Sequence, residues 1–227
     1  MHNINQFTPR DSALVLIDHQ PFIAFPIESH PRGQIANNVT AVAKAARALE
    51  VPVVLTTISG KTAPLADPLF AGLARLFPGV EPIDRTNTNA WADPAFVAAV
   101  ERTGRRKLVM AGLWTEVCLA QTALSAMKAG YEVYFISDAS GGMSREAHED
   151  AKTRMVRAGA TPMTWMATIA EWCPDNASAE YARLYPIVIE HGGGLGLATE
   201  YVFAQIESGR VPAPGAKGAG PGPGGAA

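Results

Sequence analysis

Two cysteines, Cys118 and Cys173, are the only thiols in the chain, and a thiolate is the strongest nucleophile among the side chains near neutral pH. Cys118 falls where a helix begins after an apolar run, KLVMA at 107–111. Unpaired N–H groups and the helix dipole there favour thiolate over thiol, and the same N–H groups are suited to hold an oxyanion. The competing reading is a small buried hydrophobe, the ordinary fate of a free cysteine. Asp18 closes the run SALVLID at 12–18. It is either a carboxylate facing that thiol or the cap of a turn. Arg85 follows a third extended stretch; it either reaches the same crevice on its long side chain or simply pairs at the surface. Phe22, Asn89, Trp91 and Trp114 are candidate pocket walls, although Trp91, just before an Asp-Pro helix start, reads equally well as a core plug. His19 follows Asp18 and points to the other side of its strand, so it is read as structural. The other four histidines are scattered without ligand spacing, and Cys173, before Pro174, packs at a helix end.

These residues need a frame to meet, since Asp18 and Cys118 are 118 − 18 = 100 positions apart. The apolar pattern supplies one. Short β-branched blocks at 12–18, 52–57, 81–84, 107–111, 132–137 and 161–165 read as strands buried on both faces. Helical spacing marks 35–49, 64–77, 95–102, 115–129 and 144–158, with stops at Gly104, Gly130 and Gly159. Six repeats of strand then helix predict an α/β fold: a doubly wound, mostly parallel six-stranded sheet with helices on both faces. With strand order 3-2-1-4-5-6, strands 1 and 4 flank the point where the connections diverge. Ligands bind beyond the carboxyl ends of strands at such a point. Asp18 and Cys118 would face each other there, with Arg85 about two strand spacings of ~4.8 Å away.

Composition narrows the partners. The 227 residues are 48% hydrophobic and 18% charged with a formal net charge of −2, so nothing neutralises several phosphates and no nucleic-acid partner is expected. No apolar run reaches the roughly 18 residues of a membrane span. Neither a secretory signal nor a disulfide framework is read, which predicts a reducing cytoplasm. The domain expected at 1–175 is followed by two helices within 176–210 and a Gly/Pro/Ala-rich flexible tail at 211–227. The two helices carry Tyr181, Leu184, Ile187, Tyr201 and Phe203. They either pack on the same core or reach a second subunit, so a homo-oligomer is expected. A nucleotide-binding reading fails because no G-x-G-x-x-G follows the first strand and no phosphate loop occurs.

LVLIDHQ at 14–20 and AGLWTEVCLA at 111–120, with Asn89-Ala90-Trp91 and Ser137-Asp138-Ala139-Ser140, resemble the isochorismatase-like cysteine hydrolases. The similarity covers roughly 11–172 and is strongest to the YcaC-type branch. It implies a catalytic set of Asp, a basic residue and Cys, matching Asp18, Arg85 and Cys118. Much of the wider family has Lys at the middle position. Arg cannot exchange its proton, which leaves Asp18 as the proton carrier. The resemblance also implies a cis peptide at Leu113–Trp114 that turns the Trp114 and Cys118 amides toward one oxyanion. Metal-dependent relatives carry Asp-x-His after the second strand, where this chain reads Thr56-Thr57-Ile58-Ser59-Gly60. No catalytic metal and no cofactor are therefore expected. The reaction so implied is hydrolysis of a C–N bond in a small amide-like substrate through a thioester. A non-hydrolytic thiol sensor or ligand-binding module using the same pocket is the alternative.

Overall fold

The β-branched and aliphatic runs become strands β1 (Ser12–Ile17), β2 (Val53–Ile58), β3 (Ile83–Arg85), β4 (Lys107–Gly112), β5 (Glu132–Ile136) and β6 (Thr161–Met163). A computed structural model describes residues 6–61 and 67–212. All six strands run parallel in one sheet of order β3-β2-β1-β4-β5-β6. Every residue of β1 is buried, as a central parallel strand requires. Between the strands run α1 (Pro21–Ala24), α2 (Arg32–Ala48), α3 (Ala71–Leu76), α4 (Pro94–Arg102), α5 (Ala120–Lys128) and α6 (Arg145–Arg157). After β6 come α7 (Trp165–Trp172), α8 (Ala179–His191) and α9 (Gly194–Glu207).

Alternate β1 side chains feed two cores. Leu14 and Leu16 join α2, α7 and α8 on one face, while Ala13, Val15 and Ile17 join α4, α5 and α6 on the other. Side-chain caps start several helices. Asp93 Oδ1 accepts from the Ala95 amide at 2.8 Å, with Pro94 in the first helical position. Ser144 Oγ accepts from Ala147 at 3.0 Å. Such a cap is worth about 1 kcal/mol.

Three elements depart from the sequence reading. The helix expected over 64–77 is only Ala71–Leu76; its start, through residue 66, lies outside the described residues. The helix expected at 115–129 divides into a π-helical turn, Thr115–Leu119, and α5. Finally, α7 was hidden by reading 161–165 as strand. Thr164 Oγ1 caps the Ala167 amide and ends the strand, and Trp165, Thr168, Ile169 and Trp172 bury one helical face.

Helix α8 packs on α2 and buries Leu184, Ile187 and Val188 in the same core. Helix α9 buries only Gly196 and exposes Leu197 and Tyr201 by 70% and 66%. Of the expected tail at 211–227, residues 213–227 lie outside the described residues. No helix among the described residues is long and apolar enough to cross a membrane.

Candidate active site

Beyond the carboxyl end of β1 the chain turns toward α2 on one face; beyond β4 it turns toward α5 on the other. The crevice between those divergent connections holds Asp18, Arg85 and Cys118 together. Asp18 is the first residue past β1 and adopts a left-handed conformation, φ 57°. Its side chain is fully buried. Oδ1 accepts from Thr56 Oγ1 at 2.7 Å and Oδ2 from Arg85 Nη2 at 2.5 Å. Arg85, the last residue of β3, reaches across β2 to make that contact, and its Nη1 donates to the Asn87 carbonyl. The Cys118 thiol lies beside the Asp18 carboxylate and the Arg85 guanidinium, near enough for both charges to act on its proton.

Electrostatics change one expectation. Position at a helix start favours thiolate, yet burial, followed by the negative charge of Asp18, pushes the Cys118 thiol up to about 12. The Arg85 charge opposes this without overcoming it. Cys118 therefore rests as a thiol. Burial also pushes the Asp18 carboxyl above the usual carboxylate range, against the pull of Arg85 and the Thr56 hydrogen bond. A reluctant acid and a carboxylate of raised basicity thus lie side by side.

The backbone carrying Cys118 is braced from several sides. The Leu113–Trp114 peptide is cis. The Trp114 carbonyl accepts from the Val117 and Leu119 amides at 3.1 and 3.3 Å, passing over Cys118. The indole Nε1 of Trp114 donates to the Ile23 carbonyl at 2.7 Å, and Thr115 Oγ1 pairs with His148 Nδ1 at 2.8 Å. Gly112 is required by close approach: a Cβ there would lie 2.9 Å from Ile17 Cβ. The Ser140 hydroxyl accepts from the Gly112 amide at 3.1 Å and donates to the Ile136 carbonyl at 2.7 Å, tying the end of β4 to β5.

Cys118 opens onto a cavity of about 250 Å³. Phe22 and Trp114 line it, as expected; Ile23, Ile58, Leu113 and Val117 join them. Asn89 and Trp91 do not. Asn89 Oδ1 caps the Trp91 amide at 3.1 Å while its Nδ2 donates to Ser125 at 3.0 Å. Trp91 packs edge-on against Phe96 and Tyr131, with centroids 5.9 and 5.2 Å apart. It is the core plug, because the Asp93-Pro94 helix start turns the preceding 3-10 turn onto α4 and α5. His19 is structural: fully buried, it bonds the Ala139 carbonyl through Nε2 at 2.9 Å.

Two neighbours went unread in the sequence. Thr56, opposite Ile17 in the β1–β2 register, fixes the Asp18 rotamer; only that register reveals it. Gln20 accepts from the Ile58 amide at 2.7 Å and donates to the Asp67 carbonyl at 2.8 Å, joining two cavity walls. Its place two residues after Asp18 in DHQ was the available signal.

With this geometry in hand, three comparisons bear on identity. The isochorismatase domain family matches residues 12–167. The probable hydrolase YcaC of Escherichia coli is 38% identical over 162 residues, spanning 71% of this chain and 77% of that protein. The solved E. coli YcaC, described as an octameric hydrolase of unknown specificity, superposes with a TM-score of 0.83 at 33% identity, covering 90% of this chain and 100% of its own. YcaC from Pseudomonas aeruginosa, solved with hexane-2,5-diol and covalent acrylamide, gives a TM-score of 0.82 at 31% identity, covering 88% and 99%.

Proposed function

The chain belongs to the isochorismatase family of hydrolases, and from that premise we propose that it is a metal-independent cysteine hydrolase of C–N bonds in small amide-like substrates. The observation that carries this reading is the contact of the Cys118 thiol with the buried Asp18–Arg85 pair at the mouth of one cavity. In the proposed cycle Asp18 takes the thiol proton as sulfur attacks the carbonyl carbon, forming the S–C bond. The Trp114 and Cys118 N–H groups hold the oxyanion, where each donor is worth on the order of 100–1,000-fold in rate. The C–N bond then breaks, and the proton held by Asp18 passes to the departing amine. Water, losing a proton to Asp18, cleaves the thioester; the acid is released and the proton returns to sulfur. Arg85 keeps its charge throughout, holding Asp18 and offsetting negative charge.

A redox-sensing role fits less well. Sensor thiols have low pKa and lie exposed, whereas Cys118 is 4% exposed and raised to about 12. Cys173, the other thiol, joins the core on the opposite face of the sheet. We also propose a homo-oligomer, supported by the exposed apolar side chains of α9 and by the octamer described for E. coli YcaC. Mass spectrometry after exposure to small amides tests the chemistry. The expected result is an acyl adduct on Cys118 that decays by hydrolysis and is absent from Cys118→Ala; only sulfenic acid or mixed disulfides would overturn it.

A further inference from the structure

The cavity's own chemistry selects a substrate class. Its volume, about 250 Å³, lies below the ~300–1,000 Å³ of sites that take drug-sized ligands, so the bound group is small. Its walls near Cys118 are Phe22, Ile23, Ile58, Leu113, Trp114 and Val117, and almost no polar surface faces the space between them. Specific sites normally add a few placed polar or charged groups that orient the ligand.

Two charged groups sit close enough to serve, and each is already engaged. The Asp67 carboxylate is 7% exposed, and both its oxygens accept from the Phe22 amide, at 3.1 and 3.0 Å. Arg85 is bound to Asp18 and the Asn87 carbonyl and is 1% exposed in its side chain. Among the described residues no Lys, Arg or His lines the cavity. A carboxylate or phosphate on the ligand would lose its hydration, meet the Asp67 carboxylate and gain no cationic partner, whereas Asp67, which holds a single N–H, still has acceptor capacity for an ammonium. An apolar group would instead gain from burial. The lining residue Phe22, 60% exposed, carries the apolar character out to the opening.

We propose that the site takes substrates with a short apolar acyl group, and that it excludes anionic analogues of equal size. The proposal rests on the cysteine-hydrolase reading for its chemistry, but the selectivity belongs to the cavity and is measurable without turnover.

Methanethiosulfonates provide matched probes: thiolate attack forms a mixed disulfide and releases methanesulfinate, whatever the appended group. The labelling rate of Cys118, read by peptide mass spectrometry and divided by the rate for free cysteine, is compared for the propyl, ethylammonium and ethylsulfonate reagents. The expected ratio favours propyl at least tenfold over ethylsulfonate, with ethylammonium less disfavoured. Equal or faster labelling by the ethylsulfonate reagent, or no labelling of Cys118 by any of them, overturns the inference. Thr88→Arg places a cation on an exposed lining residue and should raise the ethylsulfonate rate several-fold; an unchanged ratio also counts against it. A parallel assay compares butyramide, succinamate and 4-aminobutyramide. Turnover led by butyramide supports both readings, and turnover led by succinamate overturns this one alone. Propyl-selective labelling with no acyl-enzyme from any amide overturns the hydrolase reading and leaves the cavity's selectivity standing.

Discussion

Cys118 and Cys173 are buried to nearly the same degree, 4% and 5% exposed, and both are free thiols. Their surroundings share nothing else. Cys118 sits on a π-helical turn at the carboxyl end of the sheet, beside a buried carboxylate and guanidinium, and opens onto a cavity. Cys173 follows α7, in the core of the other face, with Ser178 Oγ 3.3 Å and the Asp175 carbonyl 3.8 Å from its sulfur. Burial alone makes an inert thiol. What separates the two is a proton acceptor in contact with the sulfur and a space where an acyl group can meet it.

The largest effect should come from the sulfur itself. Cys118→Ala should lower turnover by about a thousandfold or more, since the proposed thioester forms on that sulfur. A variant that retains activity within tenfold would erase the distinction between the two cysteines. Asp18→Asn should cost on the order of 100–10,000-fold in kcat, the usual range for a general base. It also leaves Arg85 buried without its counter-charge, so the melting temperature should fall. Arg85→Lys keeps the positive charge but loses the fork that grips both Asp18 and the Asn87 carbonyl. A loss of about tenfold in kcat, with KM little changed, is the expected outcome.

Asp18→Asn gives a sharper test because two readouts should move in opposite directions. The Asp18 charge helps to push the Cys118 thiol up. Alkylation of wild-type Cys118 by iodoacetamide should therefore rise about tenfold per pH unit between pH 7 and 10 without levelling, since the thiolate fraction climbs until the pH reaches the pKa. Removing the carboxylate charge lowers that pKa. At pH 8 the variant should alkylate several-fold faster while hydrolysing far more slowly. Slower alkylation would mean that the carboxylate does not hold the thiol protonated.

The strands were legible because uninterrupted aliphatic blocks such as ALVLI at 13–17 read as buried parallel strands; their order was borrowed from the common doubly wound arrangement, which the sequence does not state, and the sheet has that order. Arg85 was placed by counting strands, and its long side chain spans β2 as expected. The state of the sulfur was not legible. A helix start argues for thiolate, but the protonation state depends on how deeply the turn is buried and on a carboxylate 100 positions away. Trp91 was likewise undecidable from sequence, since an aromatic residue before a helix can face either the crevice or the core. Helix α7 was missed for a local reason. TPMTW at 161–165 reads as extended, and its Thr cap only becomes a signal once the spacing of Trp165, Ile169 and Trp172 is weighed with it.

The smallest effect falls on the other thiol. Cys173→Ala removes a sulfur whose polar neighbours do not depend on it: Ser178 Oγ still donates to the Asp175 carbonyl at 2.7 Å and still caps the Tyr181 amide at 3.1 Å. No buried donor or acceptor is stranded, so the cost is the small void left by one sulfur atom, about 1 kcal/mol. Turnover should stay within twofold of wild type while the melting temperature falls by a few degrees. A loss of activity comparable to that of Cys118→Ala would mean that the two thiols act together. The carboxylate and the cavity would then no longer suffice to single out Cys118 as the proposed nucleophile.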